Sequence, residues 1–399
     1  MQKVKQFITL YAHPWSKAAV KRRMLCLAAV CATWCIVGWL SLQNNRFEGL
    51  LWQPSQAAAL PITTAQQTTT TPAYQPAQPA VALTGISHEW QTLNNCGPTV
   101  LAMNFSYYGV NLDSQTIAQV LRPNPDDENV RSDELARYAI EQGFQAALQV
   151  NGNADQLRLF LSNGIPVIIE TWESDSPAGI MGGFAHFRLV TGYDDASQHW
   201  IVYDSYIQRA LVNPLGAYQG MYVDYTEADQ LWRIMNRKYV VVYKPEQAPI
   251  VQRILGGNLN NTVMWQQALA QAQMELNRQP NDAFAWFNYG SSLYALNRSS
   301  EAVTAFQKAA MLGLPERMYW YQYEPFEADY ATGRFTDLIQ LADANLASAT
   351  GIEELYYWKA LALAALDDPV QAHQALQQAL NIKPNYQQAL VALQGETSG

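Results

Sequence analysis

The feature that most restricts how this chain can fold is a periodicity in its last third. The segments "WQQALAQAQMELNRQPND", "EAVTAFQKAAMLGLPE" and "QAHQALQQALNIKPN" align so that Ala268, Ala302 and Ala372 fall at the same point in each. Positions 302 and 372 stand two periods of about 35 residues apart. Within each segment apolar residues recur at helical spacing, and Gly, Pro or Asn mark the ends. A helix pair cannot bury its own apolar face, so neighbours must stack on it. Residues 256–399 are therefore expected to form a short all-α array of about three units.

Trp286, Gly290, Ala302, Phe306, Ala309 and Pro315 sit close to the spacing of tetratricopeptide repeats, as do Tyr356, Ala360, Ala372, Leu376, Ala379 and Pro384. The region from about 262 to 395 resembles that family, and the resemblance implies a module that binds a protein partner or substrate. Tyr319 to Leu346 would be the intervening repeat, but Pro325 interrupts its first helix and its small-residue positions are lost. An irregular helical bundle is the alternative.

At the other end, Met24 to Leu42 runs for 19 residues without a charge, which at about 1.5 Å per residue nearly spans a hydrocarbon core of roughly 30 Å. Lys3, Lys5, Lys17, Lys21, Arg22 and Arg23 precede it, and the first 23 residues contain no acid. This asymmetry predicts a single-pass transmembrane helix over 24–42, a cytoplasmic tail over 1–23, and the remaining domains outside the cell membrane. A cleaved signal peptide is the competing reading, because Ala57, Ala58 and Ala59 supply small residues downstream. The run exceeds the usual apolar segment of such a peptide, about 7 to 15 residues. Gln53 to Pro79 has no charged residue and is rich in Pro, Thr, Gln and Ala, so residues 43–82 read as an extended stalk. Without those six cations, 19 basic residues face 34 acidic ones and the remainder carries about −15. Such a surface does not recruit nucleic acid or anionic lipid by charge.

Residues 83–250 have mixed character. Helical spacing covers Pro98 to Tyr108, Ser132 to Gln142 (with Ser132 or Asp133 as cap and Gly143 as stop) and Ala154 to Ser162. Runs of branched and aromatic residues then follow: Pro166 to Trp172, Ala185 to Tyr193, His199 to Tyr203 and Tyr239 to Tyr243. Helices first and an antiparallel sheet afterwards make an α+β layout.

Of the four cysteines, Cys26, Cys31 and Cys35 lie in the apolar run and only Cys96 lies beyond it. A lone thiol has no internal disulfide partner, so in an exported chain it is either buried or used. In "CGPT" it stands at a helix start, since Pro98 suits a first turn, and free N–H groups there favour a thiolate. Gly97 lets backbone approach a substrate. A thiolate nucleophile needs a histidine base and a group that orients it. His13, His199 and His373 fall in the tail, a polar turn and the repeats, which leaves His88 and His186. His186 stands in the strand-like "GGFAHFRLVTGYDD", partly buried and fixed as a base must be. Asp204 ends the following strand, placed to accept the second ring N–H, whereas Asp194 and Asp195 read as turn residues.

A Cys-Gly-Pro-Thr helix start, a His-bearing strand running into Gly-Tyr-Asp-Asp, and Val-Tyr-Asp after it occur in that order. Together they resemble the papain-like bacteriocin-processing cysteine peptidases (family thirty-nine), above all their stand-alone "-like" branch, over about residues 83–243. The resemblance implies a papain-like α+β fold with Cys96 as nucleophile, His186 as general base and Asp204 as its orienter. It also implies a glutamine that donates to the oxyanion. Gln91 is the candidate, five residues before Cys96 where six are expected, with Asn94 or Asn95 as substitutes. Members of the family linked to transporters cut double-glycine leaders, and that role does not carry over to a chain without a transporter domain.

Asn95, Gly97 and Trp172 are the expected substrate contacts, with Glu173 beside Trp172, although Trp172 reads equally well as core. Asp126, Asp127, Glu128, Asp133 and Glu134 form an acidic cluster that lacks the alternating pattern of a calcium loop and reads as a solvated helix cap. No Cys/His metal spacing and no phosphate loop occur, and the chemistry needs no cofactor. The expected whole is a membrane-anchored, outward-facing cysteine peptidase with a peptide or protein substrate and a helical-repeat module for a protein partner. The alternative is a catalytically silent peptide-binding scaffold.

Overall fold

Branched and aromatic residues dominate the middle of the chain. In the computed structural model, which describes residues 72–174, 179–207 and 218–396, they form one antiparallel sheet. Its strands are β1 (Ala80–Ala82), β2 (Gln145–Gln149), β3 (Val167–Glu173), β4 (Phe184–Asp194), β5 (His199–Tyr203), β6 (Met221–Asp224) and β7 (Tyr239–Tyr243). They pair in the order β2-β7-β3-β4-β5-β6, with β1 added to β4. The helices of this half are α1 (Cys96–Tyr107), α2 (Ser114–Leu121), α3 (Ser132–Glu141), α4 (Ala154–Ser162), α5 (Tyr225–Trp232) and α6 (Ala248–Leu255).

Successive strand residues face opposite sides, and both sides are covered. Ile168, Leu189, Val240 and Val242 pack with Leu101, Met103 and Phe105 of α1 and Leu135 of α3. Val167, Ile169, Tyr239 and Val241 pack with Phe160 of α4 and Trp232 of α5. Burial on both faces goes with a continuously apolar β7, while β3 buries Glu170, Thr171 and Glu173 among its apolar residues, and β4 is held between β3 and β5.

The repeat half contains α7 (Asn261–Arg278), α8 (Ala283–Ala295), α9 (Ser299–Met311), α10 (Glu324–Ala331), α11 (Phe335–Leu346), α12 (Glu353–Ala365), α13 (Pro369–Ile382) and α14 (Gln387–Glu396). The pairs α8/α9, α10/α11 and α12/α13 are three tetratricopeptide-like units, flanked by α7 and α14. Ala302 and Ala372 are each the fourth residue of their helices and are buried, as is Ala268 in α7. In the middle unit Leu338 takes that place. Pro325 does not interrupt the middle unit as expected. It lies in the first turn of α10, where a missing N–H costs no hydrogen bond, and the helix is shortened instead.

The two halves share a core. Trp172, Ile234 and Met235 of the sheet half lie in one apolar cluster with Phe284, Phe287, Met318 and Phe326 of the array. The acidic loop before α3 is docked on the array rather than solvated. Glu128 N–H donates to the Gly351 carbonyl at 2.8 Å, and the Asn129 amide donates to the Trp320 carbonyl at 2.7 Å. Lys383 lies 2.7 Å from Glu134, 2.9 Å from Glu353 and 3.7 Å from Asp127, so these acids are matched by a buried ammonium. Burial pushes Asp127 up to about 7, Glu353 to about 7 and Glu354 to about 8.

Two further expectations are corrected. The extended stalk does not reach residue 82, because β1 joins the sheet and Tyr74 packs under Arg253, 3.8 Å from its guanidinium carbon. The single-pass anchor and the outward localisation built on it are withdrawn, since no helix among the described residues is long and apolar enough to cross a membrane. A helical span needs about 20 consecutive, predominantly apolar residues. The longest of the described helices, α7, has 18 residues and carries Glu275 and Arg278. Met24 to Leu42 lies outside the described residues.

Candidate active site

Helix α1 opens at Cys96, two residues earlier than its apolar spacing suggests. Pro98 sits inside the first turn, whose N–H groups have no intrahelical acceptor, so the helix tolerates it there. Nearly all of α1 is buried between the sheet and α3, which fixes Cys96 while leaving it half exposed. Packing also restricts Gly97, because a Cβ there would lie 3.1 Å from the Val130 side chain.

His186 lies on β4 and Asp204 directly follows β5, its neighbour in the sheet. Their side chains are fully buried, and the His186 Nε2–H donates to Asp204 Oδ1 at 3.0 Å. The other ring nitrogen is left for Cys96, which is near enough to the imidazole to help hold its charge. Burial alone would lower the His186 pKa. The Asp204 charge and hydrogen bond, joined by Cys96, outweigh it and push the value up to about 10. Burial likewise works against the Asp204 carboxylate, but His186 and Arg188 hold it well below the usual range. Backbone N–H groups of Tyr206 and Ile207 also donate to Asp204 Oδ1, at 2.7 and 2.8 Å.

Arg188 donates through Nε to Asp204 Oδ2 at 2.7 Å, and its far end pairs with Glu173 at 3.0 Å. The Thr171 hydroxyl donates to Glu173 at 2.7 Å and to the His186 carbonyl at 3.2 Å. Arg188 by itself would cancel the Asp204 charge, whereas Glu173 restores one net negative charge behind the imidazole. The buried set is neutral when His186 is protonated, which keeps an imidazolium affordable.

Gln91 is pinned to the residue after Asp204. Its N–H donates to the Ser205 carbonyl at 3.0 Å, and the Ser205 hydroxyl donates to Gln91 Oε1 at 2.7 Å. With the amide oxygen engaged, the NH2 is the free end. Asn94 donates to Glu128 at 2.7 Å, while Asn95 is buried next to Cys96 with neither side-chain end paired. His88 donates to the Asp204 carbonyl at 2.7 Å and stacks on Tyr218 at 3.6 Å, and burial lowers its pKa. It props the loop. Trp172 is fully buried against Phe284 and Tyr321, its indole N–H on the Ile180 carbonyl at 2.7 Å, so it belongs to the core between the halves.

The structure thus brings Cys96, His186 and Asp204 together, and places Gln91 beside the residue that follows Asp204. Sequence reasoning missed Arg188 and Ser205 and the charge role of Glu173. A period of two was the available signal for Arg188, a lone charge in an apolar strand two residues beyond His186 and therefore on the same face.

Residues 66–229 match the family model described as "Peptidase_C39 like family". Among solved structures, a protein from Bacillus anthracis assigned as a C39-like peptidase is 17% identical, with a TM-score of 0.31, covering 41% of this chain and 98% of its own. The peptidase domain of Streptococcus ComA, a bifunctional ABC transporter, is 15% identical with a TM-score of 0.30, covering 40% and 99%. MamA from Desulfovibrio magneticus is 21% identical with a TM-score of 0.29, covering 30% and 67%. No curated protein sequence matches this chain significantly. The family match takes in α1, β4 and β5, which carry Cys96 and His186 and lead into Asp204, so residues 66–229 are similar to C39-like peptidases.

Proposed function

We propose that the chain is a cysteine peptidase in which Cys96 attacks a peptide carbonyl while His186 and Asp204 manage the proton. The observation that carries this reading is the buried imidazole bonded to Asp204, with Cys96 near enough to raise its pKa. The Cys96 thiolate forms a C–S bond to the carbonyl carbon. The resulting oxyanion is held by the Cys96 backbone N–H and the Gln91 amide NH2. His186, held as an imidazolium, gives its proton to the departing amine, so the C–N bond breaks and a thioester remains. The neutral imidazole then takes a proton from water, whose hydroxide releases the carboxylic acid and restores the thiolate. The tetratricopeptide-like array binds a protein partner or part of the substrate.

The test is alkylation of the full chain by iodoacetamide near pH 7, with Cys96→Ala and His186→Ala as controls. Cys96 is expected to label faster than a free model thiol and to lose that advantage without His186. Labelling no faster than the model thiol overturns the catalytic reading and favours a silent peptide-binding scaffold.

A further inference from the structure

The wall of the cleft facing Cys96 is not built by the peptidase domain alone. The turn between α9 and α10 (Glu316–Trp320, a short 3-10 helix, then Tyr321) lies against the start of β4. The Arg317 guanidinium carbon is 5.6 Å from the Phe184 ring and 4.9 Å from the Trp320 ring. The Phe184 ring in turn meets His186 edge-on at 6.4 Å, so a single aromatic ring separates the guanidinium from the imidazole. Tyr321 packs edge-on against Trp172 at 6.3 Å and is close enough to Cys96 to feel its charge.

Arg317 lies close enough to Tyr321 to act on its phenol but has no ion-pair partner among the described residues, although the chain carries 34 acids against 25 bases. Its Nε and the Trp320 indole Nε1 are buried without an acceptor. Each such buried donor remains a cost until an acceptor arrives. A carboxylate satisfies a guanidinium with two parallel hydrogen bonds.

We propose that Arg317, delivered by the repeat array, selects peptide substrates with an acidic side chain, Asp or Glu, within a few residues of the scissile bond. This rests on the peptidase reading above and adds the substrate class. Arg317 is a specificity residue. It touches substrate but takes no part in bond making.

The experiment compares cleavage of a positional-scanning hexapeptide library by the full-length protein and by its Arg317→Gln, Arg317→Lys and Arg317→Glu variants. Wild type is expected to prefer Glu over Gln at one position by about 10- to 100-fold in kcat/KM, the range set by one charge-assisted pair. Arg317→Gln lowers kcat/KM for acidic peptides more than for neutral ones and so removes the preference, Arg317→Lys restores part of it, and Arg317→Glu turns it toward Lys. Equal losses on acidic and neutral peptides, or no acidic preference in wild type, overturn the proposal. A preference only for peptides ending in a free carboxylate also overturns it. If Cys96 proves unreactive, the peptidase reading fails separately. Binding of fluorescein-labelled Glu and Gln peptide pairs to the Cys96→Ala chain then still decides on Arg317, and equal or absent binding refutes it.

Discussion

Replacing Lys383 with Met removes the one ammonium that faces Glu134, Glu353 and Asp127 while keeping most of its volume. Lys383 and all three acids are under 10% exposed, so water does not take over the lost role. Removing one partner from a buried ionic set costs about 3–5 kcal/mol. The loss depends on pH, and its sign follows from the acids. Asp127, Glu353 and Glu354 have folded values near 7, 7 and 8, above those of an unfolded chain near 4. Groups raised in this way contribute stability below the unfolded value and lose it as pH rises through the folded one. Without Lys383 the folded values move higher still, so the variant loses stability more steeply with rising pH. Urea unfolding at pH 5 and pH 8 is the assay. The deficit is expected to be small at pH 5 and to reach about 3–5 kcal/mol at pH 8. A deficit below about 1 kcal/mol at pH 8, or one equal at both pH values, refutes the reasoning.

Asp204→Asn removes the charge that outweighs burial at His186, so its pKa falls from about 10. Peptide cleavage then drops about 10²- to 10⁴-fold and its alkaline limb moves toward neutral pH, read from a pH–kcat/KM profile. Ser205→Ala frees the Gln91 amide to turn over, which is expected to lower kcat by up to about 10²-fold while iodoacetamide labelling of Cys96, which forms no oxyanion, stays unchanged. Gly351→Ala drives a Cβ into the Asp126 carbonyl oxygen, so the docked loop must move. A thermal melt is expected to show a loss of about 1–3 kcal/mol.

Where apolar runs end in strong turn residues, the sequence alone places elements well. The bounds of α4, β5 and β7 are those its pattern predicts. Strand β2 (QAALQ) lacks branched residues and α2 has little more than two turns, so neither rises above its surroundings, and both exist because of packing. Cys96, His186 and Asp204 stand out because thiol, imidazole and terminal-strand carboxylate are rare types in restrictive positions. Ser205 and Arg317 give no such signal. A serine after an aspartate and an arginine in a repeat turn are ordinary until the fold sets them beside Gln91 and Phe184. The acidic loop was misread for the same reason, since its counter-charge Lys383 lies about 250 residues downstream.

Around Lys383 the junction between the halves is polar where an apolar one would hold more tightly, since replacing buried ion sets by hydrophobic residues of like volume often gains about 1–4 kcal/mol. What the ionic set supplies is register. Its acids come from the docked loop, α3 and α12, and its ammonium from the residue after α13, so a rotated array would leave charges buried and unpaired. The same register sets Tyr321 and Arg317 beside the cleft. Lys383→Met combined with Asp127→Leu, Glu134→Leu and Glu353→Leu should therefore recover most of the stability lost in Lys383→Met alone. The combined variant should nevertheless cleave acidic peptides less selectively than wild type, because nothing then penalises a shifted array. Full recovery of both stability and acidic preference would show that apolar packing alone aligns the halves, and that the buried charges serve another end.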